Sequence, residues 1–292
     1  QLAFDVDQFD EPILGQKALT AYSDAKNGYK TGYVMSIDAT ASGLQIMSAL
    51  SGCKDTARVC NMLNTGTRED VYQMIADKMN ILLNGKYGVN RGDVKKPCMT
   101  HFYNSLATPE RMFNKEQLKA FYSTLDGLMP GAMEVMDAIN EYWDYDNDVH
   151  QWSLPDGHVA RVPVTEMSDV RIEVDELDHR TFTYRYNKQQ PSDNYRSLVA
   201  NIVHSVDGYV AREMVRKCHD MGIELVHIHD CFVFSPDYLQ AVSQTYREVL
   251  ADIADSDLLS DILSEISGGH VEVVKLSTNL SKDILNSEYM LS

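Results

Sequence analysis

Residues 223–236 read IELVHIHDCFVFSP. Two short apolar runs flank a polar centre at His229 and Asp230, which reads as a pair of strands joined by a tight turn. A carboxylate set among apolar strand residues is costly unless it is paired or ligates a cation. Far upstream, YVMSID at 33–38 reads as a buried strand that also ends in an aspartate, Asp38. Taken singly, each aspartate is most simply a strand-end turn former. Together on one sheet, near a cationic helix, they would form the core of a two-metal phosphoryl-transfer site. Such a site activates an attacking hydroxyl and stabilises a leaving pyrophosphate.

The segment VNRGDVKKPCMTHFYNSLA at 89–107 lies between the two strands. Read as a helix, it places Arg91, Lys95, Met99 and Tyr103 four residues apart. They form a slowly winding stripe about 18 Å long. Cations at one end suit a triphosphate, and the phenol at the other suits a base or sugar. Lys95 is also placed to stabilise charge on a departing pyrophosphate. Pro97 lacks an amide hydrogen, so the helix proper is expected to begin near residues 94–96. Without the aspartates, a solvated basic face would be the simpler reading.

Outward from these segments, the pattern predicts an α+β fold. Helices are expected over 16–27, over SGLQIMSALSG to Gly52, and over REDVYQMIADKMNILLNG to Gly85. Further helix is expected over 115–147, broken near Pro130 and Gly131. The texture changes near residue 149, where P-D-G and alternating runs predict hairpins projecting from the domain over 150–187. QQPSDN at 189–194 reads as a loop. Helices follow at about 195–221 and 238–254.

The chain has 292 residues, a net charge of −17 and five cysteines with no CxxC pair. Cysteine usage of this kind points to a reduced, cytoplasmic protein without a zinc site. No run approaches the roughly eighteen apolar residues of a membrane span. The acidic first residues lack the basic region of a signal peptide. The charge argues against indiscriminate nucleic-acid binding and points to a partner that supplies part of any such contact.

Three segments in order resemble motifs A, B and C of the single-subunit RNA polymerases, the family of the T-odd phage and mitochondrial enzymes. They are DATASGLQIMSAL at 38–50, RGDVKKPCMTHFYNS at 91–105 and IHDCFV at 228–233. NIVHSVDG at 201–208 and the tail NLSKDILNSEYMLS at 279–292 resemble two further family segments. The resemblance implies a polymerase right-hand fold, with a palm built on a small antiparallel sheet and mostly helical fingers. Palm would occupy 1–58 and 191–292, fingers 59–148, and a specificity-loop-like hairpin insertion 149–190. It implies that Asp38 and Asp230, with the Ala39 carbonyl, hold two Mg2+ ions. Lys95 would face the triphosphate and act as the acid for pyrophosphate, and Arg91 would contact the phosphates. Tyr103 would stack near the active site and help choose ribose, His204 would sense the 2′-hydroxyl, and His229 would support the RNA 3′ end.

Two departures from the family form are Asn104, where the family has glycine, and Ile46, where it has histidine. In lacking the long amino-terminal region, the chain resembles the catalytic chain of the two-chain RNA polymerases of enquatrovirus podophages. That implies DNA template, RNA and rNTPs as ligands, a second polymerase chain, a single-stranded-DNA-binding recruitment factor, and the cytoplasm of an infected bacterium. Arg161, Arg171, Arg180, Arg185 and Lys188 would meet template DNA. The rival readings are a family A DNA polymerase, an HD-type metal phosphohydrolase built on His229 and Asp230, and an inactive polymerase-like scaffold. Small residues and Gln45 in the first motif, where the DNA enzymes carry a blocking glutamate, leave room for a ribose.

Overall fold

The computed structural model describes residue 9 and residues 11–144, 147–164, 166–188 and 196–292. Its organising element is a three-stranded antiparallel sheet in the order β1-β7-β6: β1 is Met35–Asp38, β6 Val226–Ile228 and β7 Cys231–Phe234. Alternation along the strands sends Ile37, Phe232 and Phe234 into the core. Ile228 pairs with Cys231, so His229 and Asp230 alone make the turn. His229 adopts φ +54 there, in the left-handed region that few non-glycine residues occupy. The opposite register, Asp38 against Cys231, brings the end of β1 beside that turn.

Helices cover the apolar face of the sheet. α2 (Ser42–Ser51) is buried along almost its whole length. It stops at Gly52, whose φ of +68 and lack of a Cβ both matter: a Cβ would lie 2.9 Å from the Ser277 carbonyl oxygen. α9 (Arg196–Asp220) and α10 (Leu239–Asp255) pack with α2, and α8 (Pro130–Asn140) closes over it. α12 (Leu280–Leu285) lies on α10. α1 (Pro12–Lys26) buries only Gly15.

A second, helical group comprises α3 (Lys54–Val59), α4 (Val71–Leu82), α5 (Arg91–His101), α6 (Ala107–Met112) and α7 (Lys115–Leu128). Side chains set its helix starts. Asp70 caps α4, while Asn90 with Asp93 and Asn114 with Gln117 form capping boxes on α5 and α7. The capping box moves the start of α5 ahead of the expected position, so Pro97 sits inside the helix rather than at its first turn.

Both expected hairpins form, β2 (Val149–Ser153) with β3 (Val159–Pro163) and β4 (Glu166–Val174) with β5 (Arg180–Lys188). The first does not project. Trp152 is fully buried and its Nε1 donates to Ser205 Oγ of α9 at 3.0 Å. α11 (Leu258–Ser267) packs on β2, and Glu265 accepts from the Ser153 amide. The β4–β5 hairpin does project, with Ile172, Phe182 and Tyr184 exposed on one face and Arg171, Glu173, Thr181 and Thr183 on the other. The α+β expectation therefore holds. The helix expected over 115–147 breaks at Met129 as expected and ends at Asn140. α3, α6 and α12 are additions of six residues each, too short for a periodic signal, whereas α11 carries a clear one in Leu258, Leu259, Ile262, Leu263 and Ile266 that went unread. The 189–194 loop lies outside the described residues.

Candidate active site

Asp38 and Asp230 stand side by side at one end of the sheet. The Ala39 amide donates to the Asp230 carbonyl at 3.2 Å, so the two aspartate-bearing segments are joined through their backbones. Neither carboxylate has a Lys, Arg or His ion-pair partner among the described residues. Burial and a hydrogen bond to Asp38 push the Cys231 thiol up to about 11. Residues 290–292 complete the strand end. The Thr40 amide donates to the Met290 carbonyl at 3.0 Å, and the Ser292 amide to the Asp38 carbonyl at 2.8 Å. The Ala39 carbonyl itself accepts no backbone hydrogen bond from the described loops and turns. Two carboxylates without an ion pair among the described residues and the Ala39 carbonyl are a hard oxygen donor set, which fits divalent cations such as magnesium.

Both aspartates line a cleft of about 570 Å³. A third carboxylate, Asp207 of α9, lines it as well. Burial, then the charge of Asp230, raises its pKa to about 6, against the opposing pull of His229 and His227. The compact carboxylate–imidazole group of Glu173, Asp175 and His179 lies elsewhere, exposed at the tip of the β4–β5 hairpin.

The far wall of the cleft is α5 and the residues just after it. Arg91, Lys95, Met99 and Tyr103 all line the cleft, so the four-residue stripe survives the internal proline. Arg91 Nε donates to Asp70 Oδ2 at 2.5 Å, and its guanidinium sits 5.5 Å from the centre of the Tyr72 ring. Burial would raise the Asp70 carboxyl, but the Arg91 hydrogen bond, the α4 amides and the Arg91 charge outweigh it and hold it low. Lys95 is exposed and has no partner among the described residues.

Tyr103 stacks on His204 with ring centres 4.6 Å apart and planes 11° apart. Burial, then Asp207 and Asp230, raises the Tyr103 phenol; burial, then His229, lowers His204. Gly43 lies beside Tyr103, where a Cβ would come 3.6 Å from the Tyr103 hydroxyl. Asn104 follows with φ +62, a left-handed conformation that asparagine tolerates better than most residues. Its Nδ2 donates to Asn140 Oδ1 at 2.8 Å.

Gln45 is a correction to the sequence reading. It is fully buried and does not line the cleft. Two positions beyond Gly43 on a helix it points to the opposite side. There its Nε2 donates to the Cys60 and Met290 carbonyls at 3.0 and 3.1 Å, and its Oε1 accepts from the Tyr246 hydroxyl at 2.7 Å. The space beside Tyr103 is due to Gly43 instead. None of the hairpin arginines reaches the cleft; Arg185 is paired with Asp169 at 2.8 Å, and Arg171 donates to Thr181.

Three cleft features went unread in the sequence. Asp207 sits three residues after His204 on the same helix, a spacing that was visible. Arg68 comes from an aperiodic loop, and the tail strand over 290–292 depends on contacts too distant in sequence to leave a local signal.

Paired carboxylates at a sheet end, facing a helix that carries cations, define a class of site suited to phosphoryl transfer. The chain belongs to the DNA-dependent RNA polymerase family, whose model matches residues 15–159 and 163–289. It is 25% identical over 250 residues to the DNA-directed RNA polymerase of Pseudomonas phage phiKMV. That match covers 70% of this chain but only 30% of the phage protein, so the chain spans about a third of its relative's length. Among solved structures, the POL domain of Pol1 from M. smegmatis in complex with DNA primer-template and dNTP is 17% identical, with a TM-score of 0.46. The match covers 78% of this chain and 38% of that one.

Proposed function

We propose that this chain carries the catalytic centre of a DNA-directed RNA polymerase, extending an RNA 3′ end with ribonucleotides copied from a DNA template. The observation that carries the reading is the meeting of Asp38 and Asp230 in one cleft with Arg91, Lys95 and Tyr103. Asp38, Asp230 and the Ala39 carbonyl would hold two Mg2+ ions. When bound, the ions make the 3′-hydroxyl a better nucleophile and offset charge on the pyrophosphate. The 3′-hydroxyl gives up its proton to solvent, and its oxygen bonds to the α-phosphorus as the bond to the bridging α–β oxygen breaks. Lys95 gives a proton to the departing pyrophosphate, and Arg91, oriented by Asp70, grips the phosphates through its remaining N–H groups. His229, in its left-handed turn beside Asp230, supports the RNA 3′ end.

Gly43 favours a ribose over the blocked site of a DNA polymerase, because the space beside the Tyr103 hydroxyl stays open. Tyr103 and His204, stacked on each other, are the groups that report on the 2′ position. An HD-type phosphohydrolase would need further imidazole ligands around His229, and among the described residues the cleft offers only His204.

In this reading residues 1–58 and 191–292 are palm, 59–148 fingers, and 149–190 the hairpin insertion over template DNA. A net charge of −17 is unfavourable for holding DNA, since phosphate neutralisation drives that binding. A second polymerase chain therefore adds positive charge along the template path, and a single-stranded-DNA-binding factor brings the enzyme to promoters in the infected bacterium. No helix among the described residues is long and apolar enough to cross a membrane. The test is rNTP incorporation on a primed template by the chain alone and with its copurifying partner. Asp38→Asn and Asp230→Asn should each abolish synthesis and leave the melting temperature near that of the parent. Near-normal synthesis by either variant would refute the two-metal assignment.

A further inference from the structure

We infer that Arg68 is a phosphate-binding residue of this cleft, taking the distal end of the nucleotide's triphosphate; the inference rests on the polymerase reading above. Arg68 lines both the main cleft and the side recess that opens from it between Thr40 and Tyr72. It lies in the loop between α3 and α4, is exposed, and has no ion pair or hydrogen bond among the described residues. The acidic neighbours that would ordinarily quench it are engaged elsewhere. Glu69 accepts from the Thr65 hydroxyl at 3.0 Å, and Asp70 is taken by Arg91 and the first amides of α4.

The loop is also fixed in place. Asn61 Oδ1 accepts from the Glu69 amide at 2.7 Å, and Asn61 Nδ2 donates to the Glu69 carbonyl at 3.0 Å. The same Nδ2 reaches Thr40 Oγ1 at 3.3 Å. Asn61 is buried and holds φ +65 to do this. The backbone next to Arg68 is thereby clamped to the residue two positions beyond Asp38. A merely solvated arginine needs no such anchoring.

Charge completes the argument. Three carboxylates line the cleft, Asp38, Asp207 and Asp230, against three cations, Arg68, Arg91 and Lys95. Arg91 is already matched by Asp70, so Arg68 and Lys95 are the cations of the cleft without an ion-pair partner among the described residues. A polyanion reaching past Lys95 toward Thr40 meets Arg68 next, and a guanidinium binds phosphate oxygens in its planar fork.

The experiment is calorimetric binding of inorganic tripolyphosphate with magnesium to the full chain, to Arg68→Gln and to Arg68→Lys, with KM for rNTPs measured on a primed template. Loss of one charge-assisted phosphate contact should weaken tripolyphosphate binding and raise KM roughly ten- to a hundredfold, with kcat changed far less. Arg68→Lys should recover part of the loss. Binding by Arg68→Gln within twofold of the parent would overturn the inference while leaving the polymerase reading intact. So would a loss confined to template affinity. A parent chain that makes RNA on a primed template but shows an unchanged KM in Arg68→Gln would do the same. A parent chain that, assayed with its copurifying partner, neither binds tripolyphosphate nor makes RNA would remove both.

Discussion

His101, the last residue of α5, is 3% exposed, and neither ring nitrogen has a hydrogen-bond partner among the described residues. It packs edge-on against Phe102, Phe121 and Tyr122 at ring separations of 5.3, 6.2 and 5.4 Å. Burial, only partly opposed by the charge of Asp126, takes its pKa from 6.5 to about 4. The folded protein therefore keeps this imidazole neutral where the unfolded chain would protonate it. Its share of stability is intact above the unfolded value of 6.5 and is lost as pH falls toward about 4. One pKa unit corresponds to about 1.4 kcal/mol, so the full loss is about 3 kcal/mol, of which about 2 kcal/mol falls between pH 7 and pH 5. The perturbation is acidification of the parent protein and of His101→Phe, which keeps the aromatic packing and cannot titrate. Urea unfolding at the two pH values gives four free energies. The parent should lose about 2 kcal/mol more than the variant on going to pH 5, and the double difference cancels His150 and His204, whose pKa values are also lowered. Parallel pH profiles for the two proteins would refute the reasoning.

Tyr103→Phe should weaken the preference for rNTPs over dNTPs with little loss of rate, and His204→Ala should act in the same direction; competition assays with unchanged sugar selectivity would leave Tyr103 a stacking role only. Gly43→Glu should shift selectivity toward dNTPs, because the new side chain fills the space beside the Tyr103 hydroxyl; rNTP incorporation at the parent rate would oppose that. Tyr246→Phe should cost about 1–3 kcal/mol in urea unfolding, since it leaves the buried Gln45 Oε1 without its donor, and a variant as stable as the parent would show that Gln45 finds another partner.

The sheet and its two aspartates were legible because both signals are local: apolar strands that end on a carboxylate, and a two-residue turn at His229 and Asp230. The stripe on α5 was legible for the same reason, a repeat of four on a helix, and its survival past Pro97 reflects how strongly Asn90 and Asp93 fix the helix start. Features that depend on distant partners were not legible. Gln45 reads as a cleft residue until the Cys60, Met290 and Tyr246 groups that claim it are in place. Trp152 and Val162 alternate as any exposed hairpin might, and only the arrival of α9 and α11 makes β2–β3 part of the core. Arg68 carries no periodic signal at all; its direction is set by Asn61, seven residues earlier, in a backbone conformation that sequence spacing does not reveal.

The pairing of residues 290–292 with residues 38–40 has a consequence in time. A ribosome that has made Asp38, all of α5 and Asp230 has made every side chain assigned to the chemistry, yet Thr40 and Gln45 still await the Met290 carbonyl. Contacts that span so much of the chain form late, after the loop between them has closed. The nascent protein therefore passes through an interval in which the segment after β1 is synthesised but unbraced, and the brace arrives only with the emergence of those late residues from the exit tunnel.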